Sequence, residues 1–181
     1  MLTDSDGKIL LKAARAAIEA HLNKREFKPP KELAKFKGPA GVFVSMHKKD
    51  VLRGCVGLPY PTKPLFEALM DAAVQACNDR RFEPLTVSEL NEIKIEVSVL
   101  SRPEKLVVSG PDELVERLTH EDGLIIRKGS KGALFLPQVW EQLPQPEEFL
   151  GQLCLKAGLS SNAWAEQGCQ LYTFRAQIFS E

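Results

Sequence analysis

The 181-residue chain has few of the signatures that carry cofactor or metal chemistry. Its four cysteines, Cys55, Cys77, Cys154 and Cys169, are scattered with no CxxC pair, which argues against a zinc knuckle or a thioredoxin-type redox motif. Its three histidines, His21, His47 and His120, form no HxH or HxxxH pairing, so no local histidine metal site is supported. GxGxxG, GxxxxGK[ST] and GxSxG are all missing, and with them the usual marks of a dinucleotide fold, a P-loop and a serine-hydrolase elbow. No cofactor is therefore expected. No apolar run approaches the ~18 residues of a membrane span, and Met1 to Gly7 opens with acidic and small polar residues where a signal peptide is basic and then apolar. The expectation is a cytoplasmic chain with reduced thiols and no membrane association. An excess of either charge is also lacking: 24 Lys plus Arg face 24 Asp plus Glu. That balance argues against a broadly basic nucleic-acid surface.

What is present is ordinary for a globular protein, at 44% hydrophobic and 27% charged residues. The length fits one domain over residues 1–181, or two small lobes, and a core that needs neither metal nor disulfide. Helical spacing of Ile9, Leu10, Ala13, Ala17 and Ala20 predicts a first helix from a Ser5 or Asp6 cap to about Asn23, with Arg15 paired to Glu19. Lys24 to Pro39 reads as a surface connection. Gly41–Met46 and Val51–Gly57 read as a hairpin turning through His47 to Asp50. An apolar stripe marks a helix from Leu65 to about Asn78, with Arg80 and Arg81 near its negative end. Thr86 and Glu89 resemble a capping box for one short turn, and Ile93, Ile95, Val97 and Val99 alternate with polar residues as in a half-buried strand. A short helix opens at Pro111. A second hairpin follows, Gly123–Arg127 and Ala133–Leu136, turning through Gly129 to Gly132. A helix from Pro146 ends at a left-handed Gly158, and one last strand runs from Gln170 to Phe179. Hairpins separated by helices, without repeated strand–helix–strand crossovers, predict an α+β fold with a mainly antiparallel sheet and flanking helices.

The most distinctive segment is Leu52-Arg53-Gly54-Cys55-Val56-Gly57. Strand alternation projects Arg53 and Cys55 together and turns Leu52 and Val56 the other way. A guanidinium beside a thiol favours the thiolate, which makes Cys55 a candidate nucleophile or soft metal ligand; the plainer alternative is a small buried side chain, with the glycines marking a bulge or a tight crossing. Gly54 suits a close approach by a ligand or another backbone. Asp79, Arg80 and Arg81 form a second candidate, since an arginine fork clamps carboxylate or phosphate, unless they serve only as helix-end charges and a structural pair. Glu96, on the polar side of its strand, is a candidate general base or a partner for Arg53 or Arg80.

These segments resemble the AMMECR domain family, named for the chromosomal region associated with Alport syndrome, intellectual disability, midface hypoplasia and elliptocytosis. The resemblance rests on Leu52 to Gly57, on Asp79-Arg80-Arg81-Phe82 with Pro84, and on Ile95 to Leu100. It extends through Gly123-Leu124-Ile125, Phe135 to Pro144, Lys156-Ala157-Gly158-Leu159 and Trp164. The family resemblance implies an α+β fold with two unequal lobes and a cleft near Arg53 and Cys55. It also implies genomic company with a Memo-like protein and a radical S-adenosylmethionine protein, but no established activity. Two functions follow as expectations. The first is a binding or adaptor module that takes a protein partner or a small anionic ligand through Arg53, Gly54, Asp79, Arg80 and Arg81. The second is an enzyme or modification partner with Cys55 as reactive thiol, Arg53 lowering its pKa and Glu96 as base. The binding reading is the favoured one, because the sequence offers no complete catalytic set.

Overall fold

The computed structural model describes residues 1–181. The chain divides into two compact units, one formed by Met1–Arg102 with Gln177–Glu181 and the other by Pro103–Ala176. Each contains one four-stranded sheet, and the fold is α+β.

In the first unit, α1 (Asp4–Leu22) precedes a hairpin of β1 (Gly41–Lys48) and β2 (Val51–Leu58); α2 (Leu65–Ala76) and β3 (Ile93–Leu100) follow. The sheet order is β2-β1-β3-β8, with β8 (Ala176–Ser180) arriving from the end of the chain. Strand β1 runs antiparallel to both β2 and β3. Alternate residues Val42, Val44 and Met46 of β1 and Ile93, Ile95, Val97 and Val99 of β3 turn inward against Leu10, Ala14, Ile18, Leu69 and Ala73. The small residues of the two helices allow them to lie close to that face, and burying these side chains supplies about 25 cal/mol per Å² of apolar surface.

The α1 cap is Thr3 rather than Ser5 or Asp6. Its side chain takes the Asp6 N–H at 3.2 Å, and the Asp6 carboxylate takes the Thr3 N–H at 2.8 Å, a reciprocal box that a cap at Ser5 or Asp6 would forfeit. Arg15 bonds Glu181 and the carbonyls of Leu90 and Ile93, so its hydrogen-bond partners are distant in sequence rather than Glu19 one turn away. The Lys24–Pro39 connection contains a 3₁₀ turn over Lys31–Lys35, and its Leu33 and Phe36 enter the core. The first hairpin turn is tighter than the sequence suggests. Only Lys49 and Asp50 lie between the strands, both at positive φ (51° and 62°), the mirror-image turn whose twist matches the strands.

In the second unit, β4 (Glu104–Lys105), α3 (Pro111–Arg117), β5 (Gly123–Lys128), β6 (Lys131–Phe135), α4 (Pro146–Lys156) and β7 (Gln170–Phe174) form a sheet in the order β4-β7-β5-β6 with its own core. Leu124, Ile126, Trp140, Phe149, Leu150, Leu153 and Leu171 fill it, with the Trp140 and Phe149 rings stacked 3.8 Å apart. Gly158 closes α4 at φ +70°, as the sequence predicts. The final strand is two strands rather than one. Arg175, held by Glu121 and Asp122, separates β7 from β8, and the two belong to different sheets. The apolar pattern continues across Arg175, so the change of sheet has no counterpart in hydrophobic spacing.

Candidate functional site

Cys55 sits on β2, an edge strand of the first sheet, opposite Ser45 of β1. The Ser45 hydroxyl donates to Cys55 Sγ at 3.2 Å, which puts the thiol on the face of the sheet opposite the helices. Ser45 is buried and Cys55 half-exposed. An edge strand leaves backbone groups unpaired, and at Cys55 a turn beyond α2 satisfies both. Asp79 Oδ2 accepts the Cys55 N–H at 2.9 Å, and Arg81 Nη2 donates to the Cys55 carbonyl at 3.1 Å. Asp79 also accepts from the backbone N–H of Arg81 and from its guanidinium, the shortest contact being 2.6 Å. The two side chains therefore form one clamp that fixes the backbone of Cys55.

The electrostatics follow from this geometry. The Arg81 guanidinium, together with the N–H groups of Cys55 and Arg81, lowers Asp79 from 3.8 to about 2, against a smaller opposing effect of burial. Arg81 is raised above its ordinary value, first by Asp79 and further by hydrogen bonding and charge from Cys55. A guanidinium and a hydroxyl thus both face the sulfur, a setting suited to negative charge on it.

The other three thiols differ. Burial pushes Cys77 up to about 11 and also raises Cys154 and Cys169.

Arg53 serves a different structure. It is the residue passed over where the ladder shifts, Met46 pairing with Gly54 and His47 with Leu52. This bulge breaks the regular alternation and places Leu52, predicted to point away, opposite His47. Arg53 grips Glu89 with two nitrogens, at 2.9 and 3.1 Å, and donates to the carbonyls of Glu83 and Pro84. Glu89 also completes its capping box with Thr86, and it falls from 4.5 to about 2, chiefly through Arg53. The arginine hydrogen-bonded at Cys55 is therefore Arg81, and the carboxylate that partners Arg53 is Glu89 rather than Glu96.

Glu96 pairs with Ser45 from the other side, across β1 from Cys55. Two strand spacings separate it from Cys55, roughly 10 Å, and Ser180 donates to it at 3.3 Å. Arg80 is exposed and takes part in none of the ion pairs. Gly54 and Gly57 are explained by packing. A Cβ on Gly54 would lie 2.6 Å from the Ala76 carbonyl oxygen, and one on Gly57 2.1 Å from that of Val42 and 2.6 Å from the Phe43 ring.

The structure brings Cys55, Asp79 and Arg81, which the sequence offers as two separate candidates, into contact, and adds Ser45 and the Arg53–Glu89 pair, which the sequence does not single out. The signal for Ser45 was its place opposite Cys55 once the hairpin register is set. Glu89 was legible only as a cap.

No group of three or more His, Cys, Asp or Glu side chains is arranged to hold a metal ion, and no helix is long and apolar enough to cross a membrane. The family model described as AMMECR1 matches residues 11–179. A Methanopyrus kandleri protein is 45% identical over 193 residues, covering 99% of this chain and 90% of the relative. A Methanothermobacter thermautotrophicus protein is 42% identical, covering 99% of this chain and 96% of the relative. The crystal structure of an uncharacterised protein from Pyrococcus horikoshii superimposes with a TM-score of 0.93 at 38% identity, covering 99% of this chain and 93% of that one.

Proposed function

From the premise that the chain belongs to the AMMECR1 family, we propose that it acts through Cys55, whose thiolate captures an electrophilic carbonyl or acyl group on a small molecule or partner protein. One observation carries this reading: Ser45 and Arg81 both converge on the sulfur, while Asp79 and Arg81 lock the backbone that holds it. A nucleophile needs charge stabilisation and a fixed position, and both are built here from groups distant in sequence. Asp79 is a positioning residue, because its carboxylate orients Arg81 rather than touching the sulfur.

The Memo-like and radical S-adenosylmethionine proteins suggested by the family resemblance are candidate donors of the captured group. The reducing cytoplasm is the compartment in which such a thiol stays available. The reading is tested by incubating the folded chain with an aldehyde, a thioester and a chloroacetamide and weighing the intact product. A single adduct that maps to Cys55 and disappears in Cys55→Ser is expected. Adducts spread over other residues, or none with any probe, contradict it.

A second reading, recognition of a small anion, is favoured by one feature. Arg53 and Arg81 are each neutralised by a carboxylate, which leaves exposed Arg80 as the unpaired cation of the turn. Titration with phosphate and acetate would then show saturable binding lost in Arg80→Ala and kept in Cys55→Ser. Equal binding by both variants, or none, removes it.

A further inference from the structure

We propose that His47 is the proton-transfer partner of the Cys55 thiol, an inference that rests on the reactive-thiol reading above. The strand register carries it. Ser45 stands opposite Cys55 and touches its sulfur, so both side chains share one face of the sheet. His47 lies two residues further along β1, which by strand alternation places it on that face. The sequence pattern puts His47 in the turn, whereas β1 continues to Lys48 and takes the ring off the loop and onto the sheet. Diagonal neighbours of a regular antiparallel pair stand about 7–8 Å apart, and the bulge at Arg53 lies between these two, so in the inferred arrangement the proton passes between the imidazole and the thiol through a bridging water. Both residues are half-exposed, which leaves the pair open to a reactant.

The charged groups around the ring are otherwise committed. Lys94, its partner on β3, is ion-paired with Asp50 at 3.8 Å, and Glu96 on the same strand accepts from Ser180. On β2, Arg53 is bound to Glu89. On its own strand, Lys48 contacts Glu89 and Glu92 at 3.5 and 3.3 Å. Asp79 and Arg81 approach from the far side of Cys55 and are paired with each other. An imidazole is the side chain suited to accept a proton near neutrality and return it. In the step inferred, the Cys55 proton passes to an imidazole nitrogen and the sulfur bonds to a carbonyl carbon. The carbon–oxygen π electrons move to oxygen, and the imidazolium proton is delivered there, giving a hemithioacetal with no other reactant.

The test is the rate of Cys55 modification by iodoacetamide against pH, resolved by peptide mass spectrometry, in the wild type, His47→Gln and His47→Asn, each checked by thermal melting. Below neutrality both variants are expected to react roughly fivefold or more slowly than the wild type, and all three rates should converge above pH ~9, where a thiol ionises without help. Profiles that superimpose at every pH overturn the inference. If they superimpose while Arg81→Gln still slows the reaction, only the proton-transfer role falls. A wild-type Cys55 as inert as Cys77 removes the reactive-thiol reading itself.

Discussion

Two arginines from neighbouring motifs, chemically identical, have been given different tasks by their surroundings. Arg53 is a bidentate strut between the bulge of β2 and Glu89, with its remaining donors on the carbonyls of Glu83 and Pro84. Arg81 grips Asp79 and turns the rest of its fork toward Cys55. Lysine cannot reproduce a fork, so Arg53→Lys should cost about 1–3 kcal/mol in chemical denaturation while leaving the alkylation rate of Cys55 within about twofold. Arg81→Lys should do the reverse, slowing alkylation more than it lowers stability. Equal effects of the two substitutions on alkylation would mean that both arginines, or neither, support the thiol. Residue types at this site were readable in the sequence, since Arg53, Cys55, Asp79 and Arg81 all stood out by chemistry and spacing. Their pairing was not, because Arg53–Glu89 spans 36 positions and Cys55–Asp79 spans 24, and no local periodicity encodes either contact.

At the level of elements, β2 is shaped by what it must accommodate on each side. Gly54 lets the end of α2 come close, Gly57 lies under the Phe43 ring of the paired strand, and the Asp79–Arg81 turn occupies the free edge between them. Gly57→Ala is expected to destabilise by about 1–3 kcal/mol, because its nearest neighbours include rigid backbone. Gly151→Ala on α4 is the control. A Cβ there meets nothing nearer than 3.6 Å, and its midpoint in urea should hold or rise. If both variants shift alike, the tight crossing at Gly57 is not what constrains β2. Elements with strong periodicity, α1, α2, β3 and α4, were legible in the sequence to within a few residues. The two-residue β4, the core contacts of Leu33 and Phe36, and the division of the last strand at Arg175 were not, because each depends on a partner elsewhere in the chain.

Over the whole molecule, the balance of 24 against 24 is a matter of placement rather than of total. Asp79 and Glu89, largely buried carboxylates of the first unit, are both held near 2 by arginines, well below their ordinary 3.8 and 4.5. Because the folded values lie below the unfolded ones, the stability they contribute is present above pH ~4.5 and is lost as pH falls from there toward 2. At about 1.4 kcal/mol per unit, the shifts set upper bounds of about 2.5 kcal/mol for Asp79 and about 3.5 kcal/mol for Glu89, which solvent screening reduces, against the 5–15 kcal/mol of a typical domain. Acid unfolding followed by circular dichroism should therefore begin near pH 4, and Glu89→Gln should be less stable at pH 7 yet lose less stability on acidification. A Glu89→Gln profile parallel to the wild type would show that Glu89 does not carry the acid sensitivity.

If Cys55 alone among the four cysteines is the reactive thiol proposed above, the order in which they are labelled in the native protein shows it most directly. Limiting iodoacetamide at neutral pH, resolved by peptide mass spectrometry, should modify Cys55 first, at least tenfold ahead of Cys77, Cys154 and Cys169, whose thiols burial holds protonated. In Arg81→Gln that lead should shrink severalfold. Labelling of Cys169 before Cys55, or a lead untouched by the loss of the Arg81 charge, would contradict the account.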